Sequence, residues 1–264
     1  MSNTVKIIFV GDVIGRPGRE AFRDLLPTLH KRYAPDVVIV NGENSAGGFG
    51  ITPAIYEELL DYGADVITSG NHIWDKREIL NVIDDAKCLV RPANYPKDTP
   101  GRGATIIETA KGVKVAVVNL CGTVFMESLA SPFTLGKEMV EGLREKTPVI
   151  LVDIHAEATS EKNAMGWHLD GLASVVVGTH THVQTSDERI LPEGTAYMTD
   201  AGMTGAIDSV IGVKKELILK KFLTGMPVRF EVADEGAVEL QGLFVEVDAD
   251  TGKAVSVERI KERV

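Results

Sequence analysis

Five short apolar runs in this chain each end in residues that can bind a metal ion. The runs are rich in Val and Ile, as buried strands are, and polar side chains follow each of them directly. An open α/β sheet places its chemistry outside the carboxyl ends of its strands, so residues far apart in sequence can converge there. The side chains at these ends are Asp12, Glu43, Asn44, Asn71, His72, His155, His180 and His182.

The first 90 residues alternate between strand and helix patterns. Near-continuous Val/Ile runs separated by helices are typical of parallel strands that are buried on both faces. Pro17 suits a first helical turn, and Thr52 is a good candidate for a helix N-cap. We predict strands over residues 6–10, 37–41 and 65–69, and helices over residues 17–33, 53–62 and 76–83.

The rest of the chain becomes progressively richer in strand patterns. We predict strands over residues 105–109, 114–120, 149–154, 174–178, 189–191, 196–199, 228–232, 238–247 and 254–259. Helices are predicted over residues 136–145, 161–169 and 214–223. Two sheets packed face to face, with helices on the outside, accommodate both halves. We therefore expect an α/β chain that forms a single domain over residues 1–264.

The bulk composition limits the class of protein and of partner. The chain has 264 residues, with 44% hydrophobic and 25% charged residues, which is the mix of an ordinary globular protein. Its formal net charge of -10 disfavours stable binding to nucleic acids, whose backbones are anionic. A small phosphate ester held by a metal ion is still compatible with this charge, because a bound cation reverses the local potential.

Further features indicate where the protein works. The N-terminal apolar run is too short for a secretory signal, and no stretch is long enough to span a bilayer. We therefore expect a cytoplasmic protein without a membrane partner. Cys88 and Cys121 are too few to form a disulfide framework and are expected to be buried free thiols. The sequence carries no clear signal of homo-oligomerisation.

The types of side chain at the strand ends indicate which metal would be bound. Carboxylates, imidazoles and amide oxygens together suit borderline first-row ions such as Mn, Fe or Zn. None of the eight residues is Cys, so a structural Cys-rich zinc site is not expected. Eight groups are too many for one tetrahedral ion and suit two ions that share a carboxylate.

Each segment also has an interpretation without a metal. Asp12 could cap the following helix, residues 41–44 and 70–72 could be polar turns, and His155 alone would more often be structural. His180 and His182 give the stronger signal. Alternate residues of an extended backbone point to the same side, so both imidazoles are expected to reach one centre. The coincidence of all segments at one sheet edge favours a metal site.

Taken together, these motifs resemble the calcineurin-like metallophosphoesterases, with two departures. Ile14 stands where that superfamily has a histidine, and Gly42-Glu43-Asn44 stands where it has its second Gly-Asp. These departures resemble one branch, the YmdB-like phosphodiesterases. The matching motifs span most of the chain and comprise residues 11–19, 41–44, 70–75, 91–96, 178–185 and 199–205.

The resemblance implies a fold, a metal centre and an activity. The fold would be a four-layer α/β/β/α sandwich of two mixed sheets, and the centre would hold two transition-metal ions, iron first, with manganese or zinc as alternatives. The protein would hydrolyse small phosphodiesters, 2′,3′- or 3′,5′-cyclic nucleotides, by attack of a metal-bridging hydroxide. One ion would be held by Asp12, Glu43, Asn44 and His182, and the other by Glu43, Asn71, His155 and His180. Glu43 would bridge them, and His72 would be the proton donor.

Several alternatives stay open at the level of sequence. The same ligands would serve a metal-dependent hydrolase of carboxylic esters or amides, or a metal-containing regulator without catalysis. Arg16 and Arg19 flank Pro17 at a helix start, where a phosphate group is attracted, so both are candidate substrate contacts. Residues 91–96 either line the pocket or form a plain loop. Residues 202–205 either close over the site or serve turn geometry.

Overall fold

The computed structural model describes residues 3–264 and contains two β-sheets and five α-helices over that range. Met1 and Ser2, which the predicted domain boundary includes, lie outside the described residues. The strands are β1 (Thr4–Val10), β2 (Asp12–Val13), β3 (Val37–Asn41), β4 (Val66–Thr68), β5 (Leu89–Val90), β6 (Ala104–Glu108), β7 (Lys114–Cys121), β8 (Ile150–His155), β9 (Val175–Thr179), β10 (Arg189–Ile190), β11 (Ala196–Met198), β12 (Met203–Ala206), β13 (Val238–Asp248) and β14 (Ala254–Arg263). The helices are α1 (Gly15–Tyr33), α2 (Pro53–Asp61), α3 (Pro132–Arg144), α4 (Thr159–His168) and α5 (Lys215–Thr224).

Both sheets are mixed, and each has a parallel centre. The first has eight strands in the order β2-β12-β13-β1-β3-β4-β5, with β14 paired to β13. The second has six strands in the order β10-β11-β9-β8-β7-β6. Strands β1, β3, β4 and β5 run parallel, as do β7, β8, β9 and β11. The parallel strands in each sheet therefore end at one edge.

The strands are apolar along their whole length because both of their faces are buried. In β1, Ile7 and Phe9 point into an apolar cluster between the two sheets, while Ile8 and Val10 point toward α1 and α2. A third apolar cluster lies between the second sheet and the helices α3 and α4. Successive strand residues face opposite sides of a sheet, so a continuous apolar run packs side chains into the core layers on both sides. The predicted four-layer α/β/β/α sandwich is confirmed.

Most predicted elements are present within a few residues of their expected bounds. Thr52 caps α2, since its hydroxyl accepts a hydrogen bond from the backbone N–H of Ile55 at 3.3 Å. The sequence reasoning missed β2, β5 and β12. Strand β12 overlaps residues 202–205, for which closure over the site was one of the two alternatives. It is instead buried, and it pairs with β2 and β13.

Two predicted elements are wrong. Residues 76–83 form only a short 3₁₀ helix, Arg77–Asn81, followed by turns. The β-branched Val82 and Ile83 disfavour an α-helix, and the segment is too short to compensate. Residues 228–232 do not form a strand, and only Val232 takes part in an isolated bridge, with Val213. They make only a short pairing, in which Lys214 N–H donates to Glu231 O and Ala233 N–H donates to Gly212 O, each at 2.9 Å.

Two sequence expectations about the chain as a whole can be compared with the structure. Cys88 and Cys121 are free thiols, and Cys121 is buried while Cys88 is half-buried. Across residues 3–264, every helix is too short or too polar to cross a lipid bilayer.

Candidate metal centre

The strand ends of both sheets meet at one buried site. Asp12 follows β1, Glu43 and Asn44 follow β3, and Asn71 and His72 follow β4 in the first sheet. In the second sheet, His155 is the last residue of β8, while His180 and His182 follow β9. Asp12, Glu43 and His155 are fully inaccessible to solvent, and Asn44 is nearly so. Burying two carboxylates side by side is costly unless cations or hydrogen-bond donors face them.

One half of this site consists of Glu43, His155 and His180. Each residue offers one ligand atom, and these atoms all lie within 4.8 Å of one another. His155 Nε2 lies 2.9 Å from Glu43 Oε1 and 3.0 Å from His180 Nδ1. Two nitrogens and a carboxylate oxygen that face one point form a donor set suited to a transition-metal ion.

The other half consists of Asp12, Asn44 and His182. Asn44 Nδ2 lies 3.5 Å from Asp12 Oδ1 and 3.1 Å from His182 Nε2, while His182 Nε2 is 3.8 Å from Asp12 Oδ1. Asn44 Nδ2 is also 3.3 Å from Glu43 Oε1, so the two halves adjoin at Glu43. A half-turn of the amide exchanges Nδ2 and Oδ1, which brings an oxygen ligand to the same point.

Asn71 and Gly70 provide an independent test of whether a cation fits. Among residues 3–264, no donor lies within hydrogen-bond distance of the buried Asn71 Oδ1. An unpaired buried oxygen costs about 1–3 kcal/mol, which a bound cation would remove. A Cβ added to the neighbouring Gly70 would lie 2.1 Å from Glu43 Oε2 and 2.3 Å from His155 Nε2. The absent side chain at residue 70 therefore leaves room against two of the candidate ligands.

Each of the three histidines has one ring nitrogen occupied by an oxygen atom outside the cluster. His155 Nδ1 lies 2.8 Å from Thr179 Oγ1, and His182 Nδ1 lies 2.9 Å from the carbonyl of Ile211. His180 Nε2 lies 3.1 Å from the carboxylate of Glu157. A ring nitrogen that donates to such an acceptor leaves the lone pair on the other nitrogen. In all three rings, that other nitrogen is the one that faces the cluster.

The backbone of the two late histidines differs from the sequence expectation. His180 and His182 have φ values of 96° and 62°, in the left-handed region that residues other than Gly rarely adopt. The expectation of an extended backbone that directs both rings to one centre is therefore wrong. The turn directs His180 toward Glu43 and His155, and His182 toward Asp12 and Asn44. Non-glycine residues with this backbone are concentrated at functional sites.

The charges of the cluster are interdependent. Burial raises the pKa of Asp12. Burial also opposes ionisation of Glu43, but the facing His155 outweighs it and holds the pKa of Glu43 below its usual value. Burial likewise opposes protonation of His155, and Glu43 outweighs it and raises the pKa of His155. Burial and the neighbouring His155 lower the pKa of His180 to about 3.

Asp153, which sequence reasoning missed, supports the cluster from below. Its carboxylate accepts hydrogen bonds from Asn41 Nδ2 at 3.0 Å, Thr68 Oγ1 at 2.5 Å and Thr179 Oγ1 at 2.7 Å. Thr179 in turn holds His155, so Asp153 fixes a candidate ligand indirectly. Burial raises the pKa of Asp153 to about 6. The available signal was a carboxylate in the middle of an otherwise apolar strand run.

A second missed feature is the buried ion pair of Lys162 and Asp200. Lys162 Nζ lies 2.5 Å from Asp200 Oδ2, and both side chains are almost completely inaccessible. The same carboxylate oxygen accepts hydrogen bonds from the backbone N–H and the hydroxyl of Thr181, at 3.2 and 2.6 Å. Thr181 separates the two histidines, so the pair holds their turn in place. Nothing in the sequence distinguishes Lys162 from an ordinary helix lysine.

We expect Lys162→Met to destabilise the protein by about 3–5 kcal/mol, because Asp200 would be left as a buried charge without its cation. Urea unfolding followed by circular dichroism measures the change. The matched control is Lys137→Met on α3, whose exposed pair with Glu141 should contribute less than about 1 kcal/mol. Equal unfolding curves for the two variants would contradict the assigned role of the ion pair.

The arginines proposed as substrate contacts lie apart from the cavity over the cluster. Arg19 Nη1 donates to the carbonyl of Ser45 at 2.6 Å, and Arg19 Nε donates to Glu58 at 3.0 Å. Arg16 is exposed, with Glu20 at 4.0 Å. Neither arginine lines the cavity, and their contact with substrate stays a prediction. The loop at 91–96 also lies outside the lining, and the guanidinium of Arg91 donates to backbone carbonyls.

A cavity of about 270 Å³ opens over the cluster. Its polar end is formed by Glu43, Asn44, His72, Glu157, His180, Thr181 and His182. His72 Nδ1 lies 2.9 Å from Asp75 Oδ2, and the backbone N–H of His72 donates to Glu43 Oε2 at 3.1 Å. The imidazole is thus held beside the cluster with one nitrogen engaged by Asp75 and the other left for a bound molecule.

The chain is similar to known proteins over nearly its whole length. A family model described as YmdB-like protein matches residues 8–260. The 2′,3′-cyclic-nucleotide 2′-phosphodiesterase of Bacillus subtilis (strain 168) is 52% identical over 256 residues, which cover 97% of this chain and 96% of that protein. A putative phosphatase/phosphodiesterase of Mycoplasma pneumoniae is 40% identical and covers 99% of this chain and 94% of its own length.

Solved structures agree with this relationship. A crystal structure described as a novel phosphatase of Mycoplasma pneumoniae superposes with a TM-score of 0.93 at 39% identity, covering 100% of this chain and 95% of that one. A hypothetical protein from Thermus thermophilus gives a TM-score of 0.90 at 40% identity, covering 98% of this chain and 99% of that one. The family match extends from β1 into β14 and includes every strand end of the cluster, which confirms the resemblance seen in the motifs: the chain belongs to the YmdB-like protein family.

Proposed function

We propose that this protein is a metal-dependent phosphodiesterase that hydrolyses 2′,3′-cyclic nucleotides at the 2′ ester bond. The observation that carries the proposal is the convergence of six ligand-type side chains from two sheets beneath one cavity: Asp12, Glu43, Asn44, His155, His180 and His182. The 52% identical relative, named as a 2′,3′-cyclic-nucleotide 2′-phosphodiesterase, supports this choice of substrate over 3′,5′-cyclic nucleotides. Both sheets contribute ligands, so we take residues 1–264 as one functional domain.

The ligand-type residues divide between two metal positions. Asp12, Asn44 and His182 would hold one ion, Asn71, His155 and His180 would hold the other, and Glu43 would be shared, since it adjoins both groups. Iron suits these donors best on the family resemblance, and manganese or zinc also suit carboxylate, amide and imidazole ligands. When bound, two such ions supply positive charge for the phosphoryl oxygens and lower the pKa of water.

A residue of the chain is positioned to protonate the leaving group. Hydrolysis forms a bond from a water oxygen to phosphorus and breaks the P–O2′ bond, so the departing O2′ needs a proton. His72 is suited to donate it because it lines the cavity and its Nδ1 is engaged by Asp75, which leaves Nε2 for the substrate. The product would be a nucleoside 3′-phosphate. A positioned acid of this kind contributes typically about 10²–10⁴-fold to the rate.

The proposal is tested by metal analysis together with turnover. We expect close to two transition-metal ions per chain, and release of nucleoside 3′-phosphate from 2′,3′-cyclic AMP that stops on metal removal and returns on reconstitution. Parallel assays use 3′,5′-cyclic AMP, a carboxylic ester and an amide. Hydrolysis of only the ester or the amide would identify another hydrolase class. Bound metal without turnover of any substrate would favour a non-catalytic regulator.

A further inference from the structure

One wall of the cavity is apolar. Its side chains are those of Ile14, Phe49, Ile211, Val213, Phe230 and Val232. The polar groups that line the cavity within residues 3–264 lie mainly at the metal end. Glu231 is the exception, and its carboxylate is 3.5 Å from Lys214 Nζ. A phosphate ester bound at the metal end would therefore have its remaining part against an apolar surface.

Two aromatic rings are the largest groups on this wall. The rings of Phe49 and Phe230 are nearly parallel, with an interplanar angle of 20° and centroids 6.5 Å apart. Both residues are only half-buried, although both line the cavity. Phe49 also contacts His72 edge-to-face, with ring centroids 4.9 Å apart. The aromatic wall therefore begins directly beside the proposed proton donor.

The local backbone is shaped to bring these two segments together. Gly48 has a φ of 97°, and a Cβ at this position would lie 2.9 Å from Val232 Cγ2. On the other side, the pairing of residues 212–214 with residues 231–233 fixes the segment that carries Phe230. A side chain at residue 48 would push the two segments apart, so glycine is required for their close approach.

We propose that this aromatic wall, centred on Phe49 and Phe230, binds the nucleobase of the substrate. The inference rests on the proposed function and specifies how the non-reacting part of the nucleotide is held. Aromatic side chains stack on bases of every kind, because every base has a π-face. The side chains of the apolar wall cannot form hydrogen bonds with the edge of a base. Binding should therefore depend on the presence of a base more than on its identity.

The test compares a substrate with and without its base. We expect Phe230→Ala to raise KM for 2′,3′-cyclic AMP by about 10- to 100-fold with little change in kcat, the range expected for loss of one stacking contact. With ribose 2′,3′-cyclic phosphate, which has no base, KM should be nearly unchanged. Phe230→Tyr keeps the ring and should restore the KM for 2′,3′-cyclic AMP. Phe222→Ala on α5, an exposed phenylalanine outside the cavity lining, is the control that leaves both substrates unaffected.

Two results would overturn the base-binding role. One is an equal rise in KM for both substrates, which would indicate a general distortion of the site. The other is no rise for either. If the wild-type protein hydrolyses neither, the proposed function fails and calorimetry still decides the inference. Adenosine 3′-phosphate must then bind more tightly than ribose 3-phosphate, and Phe230→Ala must remove that difference. Equal binding of both would overturn the aromatic wall as a base site.

Discussion

His72→Ala should lower the turnover of 2′,3′-cyclic AMP by about 10²–10⁴-fold while leaving the metal content of the protein unchanged. The reason for this expectation is the position of the His72 imidazole. His72 lines the cavity, but its ring contacts Asp75 rather than the candidate ligands, and only its backbone N–H reaches Glu43. Steady-state kinetics and elemental analysis on the same preparation measure both quantities. The loss should appear in kcat, since the base and phosphate contacts are retained.

The matched control for this variant is His30→Ala, which removes an exposed imidazole from α1 and should change neither quantity. A second comparison uses a substrate analogue with a p-nitrophenolate leaving group, which departs without a proton. His72→Ala should lose far less activity on this analogue, and an equal loss on both substrates would contradict the role as proton donor.

Glu43→Gln should lower the metal content by at least half and reduce activity to background. Glu43 lies 2.9 Å from His155 and 3.3 Å from Asn44, and it is the carboxylate at which the two halves of the cluster adjoin. Replacing it by a neutral amide removes the shared charge from both metal positions, and His155 loses the carboxylate that faces it. Elemental analysis after gel filtration should therefore find about one ion per chain or fewer, against about two in the wild type.

Two further variants are compared with Glu43→Gln. Asp12→Ala removes a candidate ligand from the half with Asn44 and His182, and it also removes the acceptor of the His180 backbone N–H, so it should lose at least one ion. Glu141→Gln neutralises an exposed carboxylate on α3 and should keep both. Full metal content in Glu43→Gln would show that the shared ligand has been misassigned.

Ile14 links the metal centre to the apolar wall. The related superfamily pattern has a histidine at this position, and here the side chain is buried and lines the cavity instead. It packs against Gly212, where an added Cβ would lie 2.8 Å from Ile14 Cγ2. Ile14 thus gives the cavity apolar surface where the resembled pattern has an imidazole, while Asn44 adjoins Asp12 and His182 in the cluster.

The strand pattern could be predicted from sequence because each buried strand carries its own signal. Residues 37–41 were predicted as a strand and form β3 with the same bounds. All five residues are buried, because the strand has a core on each of its two faces. The four-layer architecture follows from the same runs. Segments with weak local signals were predicted wrongly. Residues 76–83 lack the propensity for an α-helix. Residues 228–232 alternate like a strand, but Phe230, Glu231 and Val232 line the cavity and the segment pairs only briefly.

The candidate ligands could also be picked out from sequence, because they lie at or within a few residues of strand ends, and parallel strands end at one edge. Their supporting residues were not. Lys162 and Asp200 are 38 positions apart, and their pairing depends on how α4 packs beside the second sheet. The contact between Glu157 and His180 could not be predicted from sequence, because it depends on a turn with positive φ that directs His180 Nε2 toward the carboxylate.

The sequence by itself therefore determined the fold class, the edge of the sheets at which the candidate ligands gather and the types of those residues. These depend on local periodicity and on the order of strands along the chain. Tertiary structure alone decided which nitrogen of each histidine faces the cluster, which buried charges support it and which aromatic rings form the opposite wall. Those features arise from contacts between segments distant in sequence, and local propensity carries no information about such contacts.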